Sequence, residues 1–258
     1  MNGTTNRNFP FLIAFVILFA LFYGVGLLTK SFDWTWSRIL ICLATVGGVN
    51  IVWSLLKKVS LVQSFRSTGF GAPDWHVVAI AFALSALMLV FFPLYSALTN
   101  LTFSLQSDWL WILLGIITGV GIAEESLFRG FVFNYLRGKH AFWKAATLSM
   151  LLFGAMHLLL LLWLPIPVAV AAIILSIVAS YPMAFLFETS NRTIWAPAIL
   201  HTTALATNLF EIPTELSVLI NLLWIGVIVI GLFLAFGVTW FVVRKDIKVA
   251  SIERRLHV

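Results

Sequence analysis

Eight apolar stretches of about 18 residues or more run through this chain, and nothing constrains its fold more. They are Phe9–Leu28, Ile39–Leu56, Val77–Leu98, Trp109–Leu136, Phe142–Trp163, Val168–Phe187, Ile194–Phe210 and Leu216–Val243. Inside a bilayer each such stretch must satisfy its own backbone hydrogen bonds, which an α-helix does. The sequence therefore predicts an all-α polytopic membrane protein of about eight transmembrane helices, organised as one transmembrane domain over residues 1–258. Only 10% of residues are charged, against about 25% in a soluble domain. The fourth and eighth stretches exceed what a bilayer needs, so they are expected to tilt or extend beyond it. The connections are too short to hold a soluble domain. The first stretch reads as a span rather than a cleaved signal peptide, because its n-region offers only Arg7 and no small-x-small site follows. The single cysteine, Cys42, lies in the second stretch and cannot form an internal disulfide.

The net charge of +6 gives orientation rather than a nucleic-acid partner. Arg7, then Lys57, Lys58 and Arg66, then Arg137, Lys139 and Lys144, then Arg192, and finally Arg244, Lys245, Lys248, Arg254 and Arg255 all fall on one face. The opposite face has only Lys30 and Arg38. The positive-inside rule then puts both termini in the cytoplasm, and a bacterial cytoplasmic membrane is the expected location. The basic tail is a solvated flank that can also touch anionic membrane lipids. Trp34, Trp36, Trp109, Trp111 and Trp163 fall near span ends, as an aromatic belt does. The connection SLVQSFRSTGFGAPDW, from Ser60 to Trp75, interleaves Phe65, Phe70 and Trp75 with Arg66 and small residues. It suits either an interfacial segment or an ordinary cytoplasmic loop.

The informative residues are the ionisable ones inside spans. A charge at a helix centre costs roughly 2.5–3.5 kcal/mol on insertion scales, so such groups face a protein interior or a cavity. They cluster on the fourth, fifth and seventh stretches as Glu124, Glu125, Arg129, His157 and His201. At about 1.5 Å per residue, Glu124 lies roughly 20 Å from Arg137, His157 roughly 22 Å from Phe142, and His201 roughly 13 Å from Arg192. The three can therefore meet within the membrane, in a cavity formed by those three helices. Glu125 and Arg129 stand i,i+4 and can pair, which leaves Glu124 free to face the bundle. Phe153 and His157 share a face for the same reason.

Two readings of this set stay open on chemistry alone. A carboxylate and a neutral histidine can hold and deprotonate a water while a second histidine donates to an oxyanion. A Glu/His/His set also suits a divalent metal such as zinc, with Glu124, His157 and His201 as ligands. Ser126 reads as helix filler. No G-x-S-x-G, no H-E-x-x-H and no intramembrane Asp pair is present.

EESLFRG, from Glu124, resembles the E-E-x-x-x-R motif of the CAAX prenyl endopeptidase and bacteriocin-processing (CPBP) family of intramembrane proteases. FGAMH, ending at His157, resembles that family's F-x-x-x-H. FETSNRTIWAPAILH, ending at His201, is similar to its third region, a Trp-Ala-Pro turn leading into the helix of the second histidine. The three motifs lie in order across a core of about 109–210. The resemblance implies an eight-span fold, with Glu124 as general base and His157 its partner on the water. It makes Glu125 and Arg129 a supporting pair, and His201 an oxyanion stabiliser. The family places an Asn four residues after that histidine, and here the position is Leu205. Asn208 lies within about 20° of His201 around a regular helix but roughly 10 Å along it, a supporting position only if the helix is irregular.

The function expected from motifs and depth together is an intramembrane endopeptidase of the CAAX-protease type. It would hydrolyse a peptide bond near the membrane–cytosol interface, in a peptide or lipidated-protein substrate, with a role in peptide or bacteriocin processing or in self-immunity. Two other classes fit parts of the pattern: a non-catalytic immunity or assembly factor on the same fold, and a proton-coupled transporter built on buried Glu, Arg and His. The absence of visible internal repeats weighs against the transporter. Oligomeric state and substrate identity are not written in the sequence.

Overall fold

The computed structural model describes residues 9–162 and 164–256, with side chains over 10–162 and 164–242. Arg7, Trp163 and the basic side chains from Arg244 onward lie outside the described side chains. Helices dominate: α1 (Phe9–Leu28), α2 (Trp34–Lys57), α3 (Leu61–Phe65), α4 (Trp75–Leu89), α5 (Phe91–Thr99), α6 (Trp109–Ile116), α7 (Asn134–Arg137), α8 (Phe142–His157), α9 (Ile166–Thr189), α10 (Trp195–Ala204) and α11 (Thr214–Leu256). The only strands among the described residues, β1 (Ser104–Leu105) and β2 (Phe210–Glu211), form one short antiparallel pair.

Seven helical stretches are long and apolar enough to cross a membrane. Their outward faces stay apolar, with Leu28, Leu55, Leu98 and Phe241 among the most exposed side chains, as suits lipid contact. This is an integral membrane protein. The expected seventh span, 194–210, departs from a regular helix. It is α10, ten residues long, followed by a 3₁₀ turn (Ala206–Leu209) and β2. The break occurs where Thr202, Thr203 and Thr207 weaken helical preference, and the freed carbonyls find other donors. The Trp224 indole N–H donates to Ala204 O at 2.8 Å, and the Asn208 amide to Leu205 O at 3.0 Å. The segment nevertheless passes through the bundle. At one end the Ile194 N–H donates to Gly69 O, and at the other Phe210 pairs with Leu105.

The fourth span also departs from regular α geometry. Ile117–Glu124 and Ser126–Phe133 are π-helical, a conformation that is rare and frequent at functional sites. The eighth stretch extends beyond a bilayer as expected, since α11 runs 43 residues. The connection from Ser60 to Trp75 is more deeply placed than either sequence expectation allowed. A capping box of Ser60 and Gln63 opens α3, and Ser64 and Thr68 are fully buried. Ser64 Oγ and Thr68 Oγ1 both donate to Asn50 Oδ1, and Asn134 Nδ2 donates to Ser67 O. Gly69 sits at φ 106°, and a Cβ there would meet Ile194 at 2.7 Å. Glycine is the residue that tolerates both the backbone angle and the close approach.

Candidate active site

The π-helical stretch presents its charges inward. Glu125 is fully buried and Arg129 nearly so, and Arg129 Nη1 donates to Glu125 Oε1 at 3.0 Å, the i,i+4 pair the spacing predicts. The same Oε1 accepts from His201 Nδ1 at 2.7 Å. Glu125 therefore holds both a guanidinium and an imidazole, and it joins the fourth span to α10. The Arg129 guanidinium also lies 4.7 Å over the Phe153 ring. Phe153 in turn meets His157 and His201 edge-on, at 4.5 and 6.1 Å between ring centroids. This aromatic ring is the packing centre of the cluster, and it belongs to the FGAMH motif.

Both histidines have a defined hydrogen-bonding state. A carbonyl oxygen only accepts, so His157 Nδ1, 2.9 Å from Phe153 O, carries the hydrogen. An ionised carboxylate likewise only accepts, so His201 Nδ1 carries the hydrogen toward Glu125. In the neutral rings both Nε2 atoms are then acceptors. His201 Nε2 lies 4.0 Å from Glu124 Oε2, a buried oxygen with no hydrogen-bond partner in the protein.

Glu124, Arg129, Phe153, His157 and His201 line one cavity of about 460 Å³. Tyr23 and Arg38 line it too, and sequence reasoning missed both. Arg38 was placed in a connection on the outer face, whereas it lies inside α2. The N-cap explains the difference: Asp33 accepts from the Thr35 and Trp36 N–H groups and starts α2 at Trp34, five residues before the apolar run begins. The Tyr23 hydroxyl donates to Met156 O at 3.2 Å, which joins α1 to the helix of His157. An isolated tyrosine in an apolar run carries no sequence signal of that kind.

One expected position needs correction. Asn208 is exposed and outside the cavity, because the chain leaves the helix at Ala204 and Asn208 caps that break. Leu205 does line the cavity, so the wall there is apolar. Glu124 is 15 residues from Trp109 and 13 from Arg137. Beyond it the wall continues through Leu160 and Leu164, toward the end opposite the Lys58, Arg66 and Arg137 connections. Among the described residues no three His, Cys, Asp or Glu side chains form a group that could hold a metal ion. His157 and His201 direct their Nδ1 atoms to Phe153 O and Glu125.

With this geometry in place, comparison with known proteins narrows the reading. Residues 106–210 match the family model described as type II CAAX prenyl endopeptidase Rce1-like. Residues 106–210 are thus similar to the core of that family. That core covers less than half of the chain and contains every charged residue expected from the three motifs, while Tyr23 and Arg38 lie outside it. No curated protein matches the chain. The Rce1-like core thus implies a membrane-embedded endopeptidase acting on a peptide or protein substrate.

Proposed function

We propose that this protein is an intramembrane endopeptidase that hydrolyses a peptide bond with a water activated by Glu124. The observation that carries the reading is the unpartnered Glu124 Oε2, buried on the wall of a cavity that His157 and His201 also line. A buried carboxylate oxygen without a donor is costly, and a water that donates to it and to His157 Nε2 satisfies it.

Glu124 takes a proton from the water, whose oxygen bonds to the substrate carbonyl carbon while the carbonyl electron pair moves to its oxygen. The tetrahedral species then collapses, the C–N bond breaks, and Glu124 returns the proton to the leaving nitrogen. His157 Nε2 accepts a hydrogen bond from the water and orients it. Glu125 holds His201 with Nε2 toward Glu124, as a carboxylate holds an imidazole in hydrolytic triads. His201 Nε2 lies 4.0 Å from Glu124 Oε2, so His201 stands beside the general base. No step of this scheme is routed through a metal. A prenylated peptide with a CAAX terminus is the first substrate to test, since the matched family is named for that class. The basic connections are taken to face the cytoplasm.

The test is cleavage of that peptide by purified protein in detergent or proteoliposomes. Glu124→Gln and His157→Ala should each lower kcat/KM by about 10²-fold or more, the scale of losing one positioned acid or base. Cleavage by Glu124→Gln at the parental rate would end the proposal.

A further inference from the structure

The proposed hydrolysis leaves negative charge on the carbonyl oxygen, and the polar groups of the cavity are mostly committed elsewhere. His157 and His201 use their Nδ1 hydrogens on Phe153 O and Glu125. The Tyr23 hydroxyl donates to Met156 O, and the Ser176 hydroxyl donates to Ile173 O. Arg129 is already paired with Glu125. Leu205 offers no donor.

Arg38 is different. Its side chain lines the same cavity as Glu124, yet none of the ion pairs among the described residues involves it. The guanidinium stacks 5.1 Å from the Trp34 ring centroid. Its aliphatic stem lies flat on the fourth span, where a Cβ at Gly119 would meet Arg38 Cβ at 3.0 Å and Cγ at 3.1 Å. Gly119 thus provides the groove that carries this arginine to the cavity. Glu124 and Arg38 are close enough to interact electrostatically. With neutral histidines the cluster of Glu124, Glu125, Arg38 and Arg129 is charge-balanced. During hydrolysis, charge moves from the Glu124 carboxylate to the substrate oxyanion, and an arginine facing both can follow it without rearrangement.

We propose that Arg38, a residue of α2 outside the Rce1-like core, is a catalytic residue that stabilises the tetrahedral oxyanion. This rests on the endopeptidase reading above. Arg38 contributes in the transition state, so its loss lowers kcat while KM stays nearly unchanged.

The experiment measures cleavage of the prenylated CAAX peptide by the parent, Arg38→Lys, Arg38→Gln and Arg38→Ala, after size-exclusion profiles and melting temperatures confirm folding. Arg38→Gln should lose about 10²- to 10³-fold in kcat, the effect of removing one oxyanion donor, with a smaller loss in Arg38→Lys. Added guanidinium should restore part of the activity of Arg38→Ala. Parental kcat in folded Arg38→Gln overturns the assignment. Full recovery of Arg38→Gln at raised pH also overturns it, because Arg38 would then serve only to keep Glu124 ionised. No cleavage by the parent overturns the endopeptidase reading and this inference together.

Discussion

At the scale of single residues, Glu125 has the most to lose. It is fully buried and serves Arg129 and His201 through one oxygen. Removing one partner of a buried pair strands the other charge, at about 3–5 kcal/mol. Glu125→Gln should therefore melt well below the parent in detergent, and its activity should fall because His201 loses its orientation. Replacing both members, as in Glu125→Gln with Arg129→Met, should recover part of the stability, since no charge is left stranded. Asp33, outside the spans, gives a pH dependence of known sign. The Trp111 indole N–H at 2.8 Å, with backbone N–H groups of Trp36 and Thr35, holds its carboxyl below the usual carboxylate range. A depressed value means stability that is present at neutral pH and lost as pH falls through the carboxylate range toward that value. The parent should lose melting temperature between pH 7 and pH 3, and Asp33→Asn should lose less.

At the scale of elements, the two irregular segments hold Glu124, Glu125, Arg129 and His201. The π-helical stretch spaces Glu124, Glu125 and Arg129 so that the pair points at α8 and α10 while Glu124 faces the cavity. A Cβ on Gly130 would overlap the Thr68 carbonyl, so the buried connection braces this stretch through direct backbone contact. The break after α10 is stabilised by Trp224. Trp224→Phe keeps the buried ring but strands the Ala204 carbonyl, which should cost about 1–3 kcal/mol. Thermal unfolding against the parent measures the cost. A matching loss of activity without a change in oligomeric state would show that the break holds His201 in place.

At the scale of the whole molecule, seven helices among the described residues are long enough to cross a membrane, and the broken segment of α10 links the two ends of the bundle. The loops containing Lys58, Gly69 and Arg192 meet at one end, through the Ile194–Gly69 bond, and the β1–β2 pair marks the other end. Cys42 is buried in α2, so introduced cysteines report alone. Cysteine at Lys58 should label only from the cytoplasmic side of sealed cells or vesicles, and cysteine at Ser104 only from the opposite side. Labelling of Lys58→Cys from outside would reverse the orientation. The cavity wall runs from Glu124 toward the Leu164 end of the bundle.

The sequence by itself determined the helical membrane fold, because apolar runs of that length have no other way to satisfy their backbones in lipid. It also determined the charged trio and the two histidines, because charge is scarce enough in spans for each instance to stand out. Tertiary structure alone decided which oxygen each histidine meets, that Asn208 caps a break rather than facing the cavity, and that Arg38 and Tyr23 reach the site. Those outcomes depend on where helices stop and on what packs across from them. Helix ends are set by single capping hydrogen bonds, such as those of Asp33 and Trp224, whose energies of about 1 kcal/mol leave little mark on hydrophobic pattern.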